Sequence, residues 1–300
     1  MIFTKIFIFG FGYTAAYFSD HVVQNNHNDI QIVGTSRNVE KKHSDLIKLD
    51  IQDHIKLINY DKKSIIQELK NSDIVLISIP PNIDGVDVVY KEYSDFLIKN
   101  KKNIKWLGYL SATSVYGNYN GEWVDEKSKC KPSSKRGKDR LSSEKQWMQL
   151  FEQHKIPVNI FRISGIYGPS KSAIERVKQK YQDNKYFTIN KKDHFFSRIH
   201  VKDISSIIYE TIKKNIKGEI FNLSDDLPAS SADVDDFAAN LLKYPRIKKV
   251  YFDKADLSPM ALEFYQDNKK VSNNKVKSLL NYKFIFSDYK EGLKNINLIK

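Results

Sequence analysis

The stretch Lys5-Ile6-Phe7-Ile8-Phe9-Gly10-Phe11-Gly12-Tyr13-Thr14-Ala15 joins an apolar run to a glycine-rich turn near the start of the chain. The run predicts a buried β-strand over Lys5–Phe9, and the pattern after the turn predicts a helix over Tyr13–Gln24. The turn has the form G-x-G-x-x-A, and a strand before it and a helix after it are what a dinucleotide-binding loop requires. Gly10 permits a tight turn, and Gly12 lets the backbone approach a pyrophosphate. A tight turn without a ligand is the alternative interpretation. The predicted cofactor-binding residues of this loop are Gly10, Gly12 and Tyr13.

Strand-like and helix-like segments alternate along the first half of the chain. Further strands are predicted over Ile30–Thr35, Leu46–Ile51, Ile74–Ile79, Ile104–Ser111 and Pro157–Ile163, and further helices over Val86–Lys99 and Lys135–Gln153, the second capped by Ser133 or Ser134. This alternation predicts an α/β fold with a doubly wound parallel sheet covered by helices on both faces. The pattern then becomes shorter and mixed, so we expect a nucleotide-binding domain over residues 1–165 and a smaller, mostly helical lobe over residues 166–300. A segment at about residues 200–225 is expected to return to the first domain.

The end of the second predicted strand indicates which dinucleotide would bind. An Asp or Glu at this position would bind the ribose 2′-hydroxyl of NAD, but this chain has Thr35, Ser36 and Arg37. Two hydroxyls and a guanidinium suit a 2′-phosphate, which a carboxylate would repel. The sequence therefore predicts NADP(H), with NAD(H) as the alternative; Arg37 as a solvated loop residue is the other interpretation. Asp50, placed at the end of the predicted third strand, could accept a hydrogen bond from the adenine amino group, although an ordinary turn aspartate fits nearly as well.

Composition and charge exclude several classes of protein. The net charge of +13 comes from 49 basic and 36 acidic residues, but most lysines are scattered among Asn and Ile, so no nucleic-acid partner is expected. Cys130 is the only cysteine, which rules out an intrachain disulfide and a zinc-binding cysteine cluster. The histidines lack metal-ligand spacing, and no stretch approaches the roughly 18 apolar residues of a membrane helix. We expect a cytoplasmic protein with no metal and no membrane contact.

One group of basic residues departs from this scattered pattern. The group lies within residues 127–140, where Asp139 is the only acidic residue. Its basic residues are Lys127, Lys129, Lys131, Lys135, Arg136, Lys138 and Arg140. Within this group, Arg136 and Arg140 are four residues apart on one face of the predicted helix, and such a pair suits an anionic ligand such as a carboxylate, a phosphate or a nucleotide pyrophosphate. A solvated basic helix face is the alternative.

Four further segments follow the glycine loop in a recognisable order: Leu110–Gly117, Arg162–Pro169, Arg198–Asp203 and Ile220–Leu223. With these segments, the chain resembles, over nearly its whole length, the extended short-chain dehydrogenase/reductases, the NAD-dependent epimerase/dehydratase group that includes nucleotide-sugar epimerases. The resemblance implies a Rossmann domain, a C-terminal substrate lobe and an active site between them. It also implies a catalytic Ser or Thr after the fifth strand and a Tyr-x-x-x-Lys pair on the next long helix, in which the lysine lowers the pKa of a proton-transferring tyrosine.

The chain departs from this pattern at the catalytic positions. Aligned on Val115–Gly117, the serine position falls on Ala112 with Thr113 beside it, and the tyrosine and lysine positions fall on Arg136 and Arg140. Arginine stays protonated in proteins and cannot act as a general acid or base. The dinucleotide site is thus expected without the usual proton-transfer group. The candidate catalytic residues are Thr113, Tyr116 and Arg136, and Arg140 is a candidate for binding a cofactor hydroxyl or phosphate.

Two main functional hypotheses follow. The first is an NADP(H)-dependent reductase or epimerase-like enzyme acting on a small or nucleotide-linked anionic substrate, which Arg136 would bind or polarise while Thr113 or Tyr116 delivers the proton. The second is a dinucleotide-binding regulatory or redox-sensing protein without catalysis. Nucleic-acid binding rests on net charge alone. The resemblance also suggests a homodimer.

Overall fold

The computed structural model describes residues 4–25 and 30–298. Its strands are β1 (Lys5–Phe9), β2 (Gln31–Ser36), β3 (Ile55–Asn59), β4 (Ile74–Ile77), β5 (Trp106–Ala112), β6 (Trp123–Val124), β7 (Val158–Ile163), β8 (Gly165–Tyr167), β9 (Phe187–Asn190), β10 (Arg198–His200), β11 (Ile220–Leu223), β12 (Lys248–Tyr251) and β13 (Lys270–Val271). Its helices are α1 (Tyr13–Asn25), α2 (Val39–Lys48), α3 (Lys62–Leu69), α4 (Val88–Lys99), α5 (Lys135–His154), α6 (Ala173–Gln182), α7 (Val201–Lys213), α8 (Ser231–Leu241), α9 (Pro259–Phe264), α10 (Asn274–Leu280) and α11 (Tyr289–Leu298).

Seven strands form one central parallel sheet in the order β11-β7-β5-β4-β1-β2-β3. Phe7 of β1 lies in register with Val33 of β2 on one side and Val75 of β4 on the other. All residues of β1 and β4 are buried, as expected for parallel strands that helices cover on both faces. The predicted doubly wound parallel sheet is confirmed, and β11 lies at one edge of this sheet.

The chain forms two compact units that interleave along the sequence. The first unit contains residues 1–112, 138–162 and 204–221, and the second contains residues 113–137, 163–203 and 222–300. The sequence-based division after residue 165 differs from this one, since it places 113–137 with the first domain. Residues 204–221 do belong to the first unit, within the segment of about 200–225 for which this was expected.

Each unit has its own hydrophobic core. In the first unit, aromatic and branched side chains of the sheet, such as Phe9 and Tyr109, pack with Tyr93 of α4 and Trp147 of α5. In the second unit, helices α6, α8 and α11 contribute smaller side chains, such as Val177, which pack with Tyr289. The small side chains of α8, among them alanines, let these three helices approach closely.

The predicted third strand, Leu46–Ile51, is wrong. Leu46 belongs to helix α2, which begins after Asn38, whose side chain accepts a hydrogen bond from the backbone N–H of Lys41. The third strand of the chain is instead β3, Ile55–Asn59, which pairs with β2. Apolar and polar residues alternate in 46–51, as they do in a strand. The Asn38 cap instead starts a helix that includes Leu46, and residues 55–59 form the strand that pairs with β2.

The start of α5 shows which of two predicted caps is used. Ser134 Oγ accepts a hydrogen bond from Gly137 N at 3.1 Å, so Ser134 caps this helix and Ser133 does not. Ser133 Oγ donates instead to Asp267 Oδ1 at 2.6 Å.

Within residues 4–25 and 30–298, no helix is long and apolar enough to cross a membrane. The same residues contain no group of three or more His, Cys, Asp or Glu side chains arranged to hold a metal ion.

Candidate functional site

The glycine loop is fixed to the neighbouring strand β2 by two backbone donors. Gly10 N donates to Thr35 Oγ1 at 2.8 Å, and Phe11 N donates to Thr35 O at 2.7 Å. Gly10 has a φ of 85°, and a Cβ atom at this position would lie 2.5 Å from Ile79 Cγ1. Only glycine therefore fits the first position of the loop.

The second glycine of the loop lies in open space. A Cβ atom at Gly12 would meet no atom of the described residues within 4 Å, and α1 begins at the next residue, Tyr13. The first turn of α1 contains no acidic residue, so no carboxylate of that turn neutralises the positive end of the helix dipole. Gly10, Gly12 and Tyr13 therefore form an open turn at a helix N-terminus, a geometry that suits phosphate groups.

The residues expected to select the cofactor differ in accessibility. Thr35 is 1% exposed, and its hydroxyl serves the glycine loop rather than facing solvent. Ser36 Oγ donates to Asn38 O at 2.9 Å and accepts from Asn38 N at 3.1 Å, which fixes the turn after β2. Arg37 is exposed and forms no ion pair with any residue that the structure describes. The cation is thus available for a ligand, whereas the threonine positions the loop.

Two other predicted cofactor residues lie in unexpected surroundings. Asp50 follows helix α2 in a turn with a φ of 56°, so it is not at the carboxyl end of a strand as predicted. Arg140 of α5 donates through one terminal nitrogen to Leu110 O, at the end of β5, and lies near the Tyr109 ring. The same nitrogen donates to Tyr109 Oη at 3.5 Å, and these contacts hold the start of α5 against β5.

The second unit contains a cavity of about 780 Å³, which we call the main cavity. Its lining residues include Thr113, Arg136, Tyr167, Lys171, Glu175, Arg176, Phe196, Arg198, Phe264, Asp267 and Lys269. Two of the three predicted catalytic residues, Thr113 and Arg136, are therefore brought to one cavity. The third is not: Tyr116 does not line this cavity, it is fully buried, and its hydroxyl donates to Asn222 Oδ1 at 2.7 Å.

Arg198 is the most constrained cation of the main cavity. Its Nη1 donates to Phe196 O at 2.8 Å and to Ala229 O at 2.9 Å, and no described carboxylate lies within ion-pair distance. Burial and the nearby positive charge of Arg176 lower the pKa of Arg198 to about 10, so the guanidinium remains charged at neutral pH. A desolvated guanidinium held by carbonyls, without a counter-ion, is suited to binding an anion.

The remaining cations of the main cavity are not equivalent. Arg176 is paired with Asp235, its Nε lying 2.9 Å from Oδ1, and Lys269 Nζ lies 3.5 Å from Asp267 Oδ2. Arg136 is exposed and, like Arg198, has no ion-pair partner among the residues described. The cavity therefore offers two unpaired guanidinium groups, from α5 and β10, to an anionic ligand.

His200 is buried beside Tyr167, a lining residue of the main cavity. Its Nδ1 accepts a hydrogen bond from Lys202 N at 3.2 Å, and its ring packs against Tyr167 and Phe286. Burial, with a smaller effect of the positive charge of Lys202, lowers the pKa of His200 to about 3. The ring is therefore neutral at physiological pH and positions the start of α7.

Sequence reasoning missed most of the cavity wall. Arg198 belongs to the quoted segment Arg198–Asp203, but its role as an unpaired cation depends on burial that no local pattern shows. Phe264 and Lys269 come from a polar stretch without a motif, and they reach the cavity only through tertiary packing. The exposed phenyl ring of Phe264 stacks on Phe196, with the ring centres 4.4 Å apart.

The parallel sheet and the glycine loop define a dinucleotide-binding protein of the Rossmann class. A sequence model of the NAD-dependent epimerase/dehydratase family matches residues 94–224. A conserved protein of unknown function from Silicibacter pomeroyi is 32% identical, with 99% of each chain covered and a TM-score of 0.86. No curated protein matches the sequence. The chain belongs to the NAD-dependent epimerase/dehydratase family.

More distant structures share the fold. The dTDP-glucose 4,6-dehydratase of Bacillus anthracis, solved in complex with NAD, is 17% identical, with 98% of this chain and 96% of that chain covered and a TM-score of 0.80. The UDP-glucuronic acid 4-epimerase of Bacillus cereus is 19% identical, with 99% of each chain covered and a TM-score of 0.77. At these identities the likeness establishes the fold, whereas substrate and chemistry depend on the residues of the site.

Proposed function

We propose that the protein is an NADP(H)-dependent reductase or epimerase that acts on a small or nucleotide-linked anionic substrate. The observation that carries the proposal is the pair of unpaired guanidinium groups, Arg136 and Arg198, in one cavity of about 780 Å³. Membership of the NAD-dependent epimerase/dehydratase family and the open glycine loop support the cofactor part of the proposal. Two distant relatives are a dTDP-glucose 4,6-dehydratase and a UDP-glucuronic acid 4-epimerase, which are enzymes of sugars linked to anionic nucleoside diphosphates.

The cofactor part rests on this chain's own residues. Gly12 leaves room for the pyrophosphate, and the N-terminus of α1 provides backbone N–H groups for it. Arg37 would pair with a 2′-phosphate beside Ser36 Oγ, and residues 35–38 contain no carboxylate that would repel it. When bound, the nicotinamide would accept or supply hydride.

The substrate part rests on the cation geometry. Arg198 has two of its N–H groups fixed by backbone carbonyls, so the orientation of its guanidinium plane is set before a ligand arrives. Arg136 also lines the main cavity, and because its side chain is exposed it would attract the anion from solvent. The Thr113 hydroxyl, in the turn after β5, is available to a substrate oxygen because it has no partner among the described side chains.

A titration with NADPH and, separately, NADH tests the cofactor part. We expect NADPH to bind more tightly, and Arg37→Gln to weaken NADPH binding by about tenfold while leaving NADH unchanged, since loss of one charge-assisted contact costs roughly 1.5 kcal/mol. Lys91→Gln, an exposed lysine on α4, is the matched control for net charge. Equal binding of the two dinucleotides would refute the proposed preference, and binding of neither would refute the role of the loop.

The second candidate function is a dinucleotide-binding regulatory or redox-sensing protein. The observation in its favour is that α5, which spans Lys135–His154, contains no tyrosine, so the helix offers no phenol for proton transfer. A screen of anionic carbonyl compounds and sugar nucleotides, followed by NADPH absorbance, separates the two functions. Oxidation of NADPH that depends on one compound supports the enzyme, and tight binding without any turnover supports the regulatory protein.

A further inference from the structure

The main cavity contains two lysines in different environments. Lys171 is exposed, whereas Lys269 is only 8% exposed although both line the cavity. The carboxylate of Asp267, two residues earlier, is the ion-pair partner of Lys269, with Nζ and Oδ2 3.5 Å apart. A buried ammonium with one distant partner has N–H groups left for a ligand.

The carboxylate of this pair is itself held in place. Ser133 Oγ donates to Asp267 Oδ1 at 2.6 Å, which leaves Oδ2 directed to the lysine. An amine whose partner is oriented by a third group is the arrangement used for acid–base and nucleophilic chemistry in proteins. Ser133, Asp267 and Lys269 form such a chain on the wall of the main cavity.

Asn268 fixes the backbone between the two charged residues. It donates through N to Asn118 Oδ1 at 3.0 Å and through Nδ2 to Asp193 O at 2.8 Å, and its Oδ1 accepts from Phe195 N at 2.9 Å. Its carbonyl accepts from Tyr119 N at 2.9 Å and from Gly121 N at 3.0 Å. Five hydrogen bonds at one residue leave little freedom to the segment, so Asp267 and Lys269 are presented to the cavity in a fixed arrangement.

Two other titratable side chains of the cavity, those of Glu175 and Tyr167, already have hydrogen-bond partners. Glu175 Oε2 accepts from Ser172 N at 2.9 Å in a capping box. Tyr167 donates its hydroxyl to Asp288 O at 3.2 Å, and burial raises the pKa of this phenol far above neutrality. Burial lowers the pKa of Lys269, against the opposing effect of the Asp267 carboxylate. Of these groups, Lys269 is the one suited to giving up a proton.

We propose that the main cavity takes an anionic carbonyl compound, with Arg136 and Arg198 on the anionic group and Lys269, oriented by Asp267, on the carbonyl oxygen as the proton donor. In the reductive direction, Lys269 would give the proton on Nζ to the carbonyl oxygen while the carbonyl carbon takes up a hydride, which a reduced nicotinamide would supply when bound. The products are the alcohol, oxidised nicotinamide and a neutral amine, which regains its proton from water. The reaction rests on the proposed function, but the placement of Lys269 can be tested without turnover.

Labelling with pyridoxal 5′-phosphate, an anionic aldehyde, tests this placement. An unprotonated lysine adds to the aldehyde, water leaves, and borohydride reduces the imine to a stable amine that mass spectrometry locates. We expect Lys269 to be labelled faster than Lys171, because burial lowers the pKa of Lys269 and so raises the fraction of its amine that is neutral and nucleophilic. Pyridoxal without the phosphate should label Lys269 more slowly, and inorganic phosphate should slow the reaction with the phosphate ester.

Two variants make the labelling test decisive. Asp267→Asn keeps an acceptor for Ser133 but removes the charge that stabilises the ammonium, so Lys269 should be labelled faster than in the wild type. Arg136→Gln, at an exposed position, should slow labelling by the phosphate ester and leave labelling by pyridoxal unchanged. If Lys269 stays unlabelled while Lys171 reacts, or if both aldehydes label it equally, the inference is overturned.

Turnover gives a second and separate measure. Lys269→Arg keeps the positive charge but holds its proton, so it should lower kcat for NADPH-dependent reduction at least about tenfold with little change in KM. An unchanged kcat would overturn the role as proton donor. If the wild-type protein reduces none of the carbonyl compounds tested, the proposed function fails, while the labelling still decides whether Lys269 is the reactive amine of the cavity.

Discussion

Two glycines of the same loop differ in what an added methyl group would meet. Gly10→Ala places Cβ 2.5 Å from Ile79 Cγ1 at a φ of 85°, so we expect a loss of about 2 kcal/mol or more in the free energy of unfolding. Gly12→Ala places Cβ in open space and should change stability by less than about 0.5 kcal/mol. NADPH binding should nevertheless be weakened in Gly12→Ala, because the methyl group occupies the space that the pyrophosphate needs.

Urea unfolding and NADPH titration, measured on both variants, separate stability from binding. The expected result is a stable Gly12→Ala protein that binds NADPH poorly. A Gly12→Ala protein that binds NADPH like the wild type would contradict the placement of the pyrophosphate at this loop.

A single buried carboxylate should make stability depend on pH. Asp203 accepts hydrogen bonds from Tyr282 Oη at 3.0 Å, Ile285 N at 2.7 Å and Phe286 N at 3.1 Å, and burial raises its pKa to about 6. Because the unfolded carboxyl titrates near 3.9, the folded state binds the proton more tightly between these two values. The stabilising contribution is complete below about pH 4 and is lost as the pH rises to about 6, a change of roughly 3 kcal/mol.

The neutral variant Asp203→Asn isolates this contribution. The difference in the free energy of unfolding between wild type and Asp203→Asn should fall as the pH rises from 4 to 6, since other titrating groups contribute equally to both proteins. Urea unfolding at several pH values measures it. A constant difference across this range would show that the carboxyl of Asp203 titrates normally.

At the scale of elements, one buried ion pair connects α5 to the central sheet. Glu144 of α5 accepts from Arg162 Nη2 of β7 at 2.8 Å and from Ser111 Oγ of β5 at 2.5 Å, and both charged side chains are almost fully buried. Glu144→Gln leaves the guanidinium without a counter-charge, so we expect a loss of about 3–5 kcal/mol in the free energy of unfolding. Circular dichroism during urea unfolding measures this loss.

A double variant separates the contribution of the ion pair to stability from the cost of leaving one buried charge unpaired. Glu144→Leu combined with Arg162→Met replaces both charges by apolar side chains, so its free energy of unfolding should lie within about 2 kcal/mol of the wild type. If the double variant is as unstable as Glu144→Gln, packing at this position, rather than the uncompensated charge, controls the stability.

The regular elements could be predicted where the sequence pattern and the burial agree. Strand β1 begins and ends at the predicted residues, because an apolar run defines it locally. Residues 46–51 show the limit. There a helix with an Asn38 cap ends in a turn at Asp50, whose φ of 56° no apolar pattern indicates. As a result, the sequence predicted Asp50 at the end of a strand, whereas it lies in a turn.

The site could be predicted only where it coincides with a motif. The glycine loop, Thr113 and Arg136 follow from spacing and resemblance, and the structure brings the last two to one cavity. Lys269 lies in no motif, and its environment depends on Asp267, Ser133 and the five hydrogen bonds of Asn268. Burial and long-range hydrogen bonding give these residues their properties, and neither is written in the local sequence.

At the scale of the whole molecule, a net charge of +13 and an anion-binding site must be distinguished, because both attract anions. Charge spread over the surface acts through long-range attraction, which salt screens within about 8–10 Å at physiological ionic strength. Arg198 differs from this surface charge, since it is half-buried, has no ion-pair partner among the described residues and is oriented by two backbone carbonyls. Salt should therefore weaken the two kinds of binding to different extents.

We expect heparin, a polyanion, to bind weakly and to lose about a thousandfold in affinity between roughly 50 and 200 mM NaCl, as for a protein that makes six or more non-specific contacts. NADPH should lose far less over the same range, because the backbone N–H groups at the start of α1 and the guanidinium of Arg37 would hold it at short distance. Calorimetry at the two salt concentrations gives both slopes. Parallel slopes would mean that NADPH is attracted by net charge alone; a steep slope for heparin and a shallow one for NADPH would assign the dinucleotide to a built site and the polyanion to the charged surface.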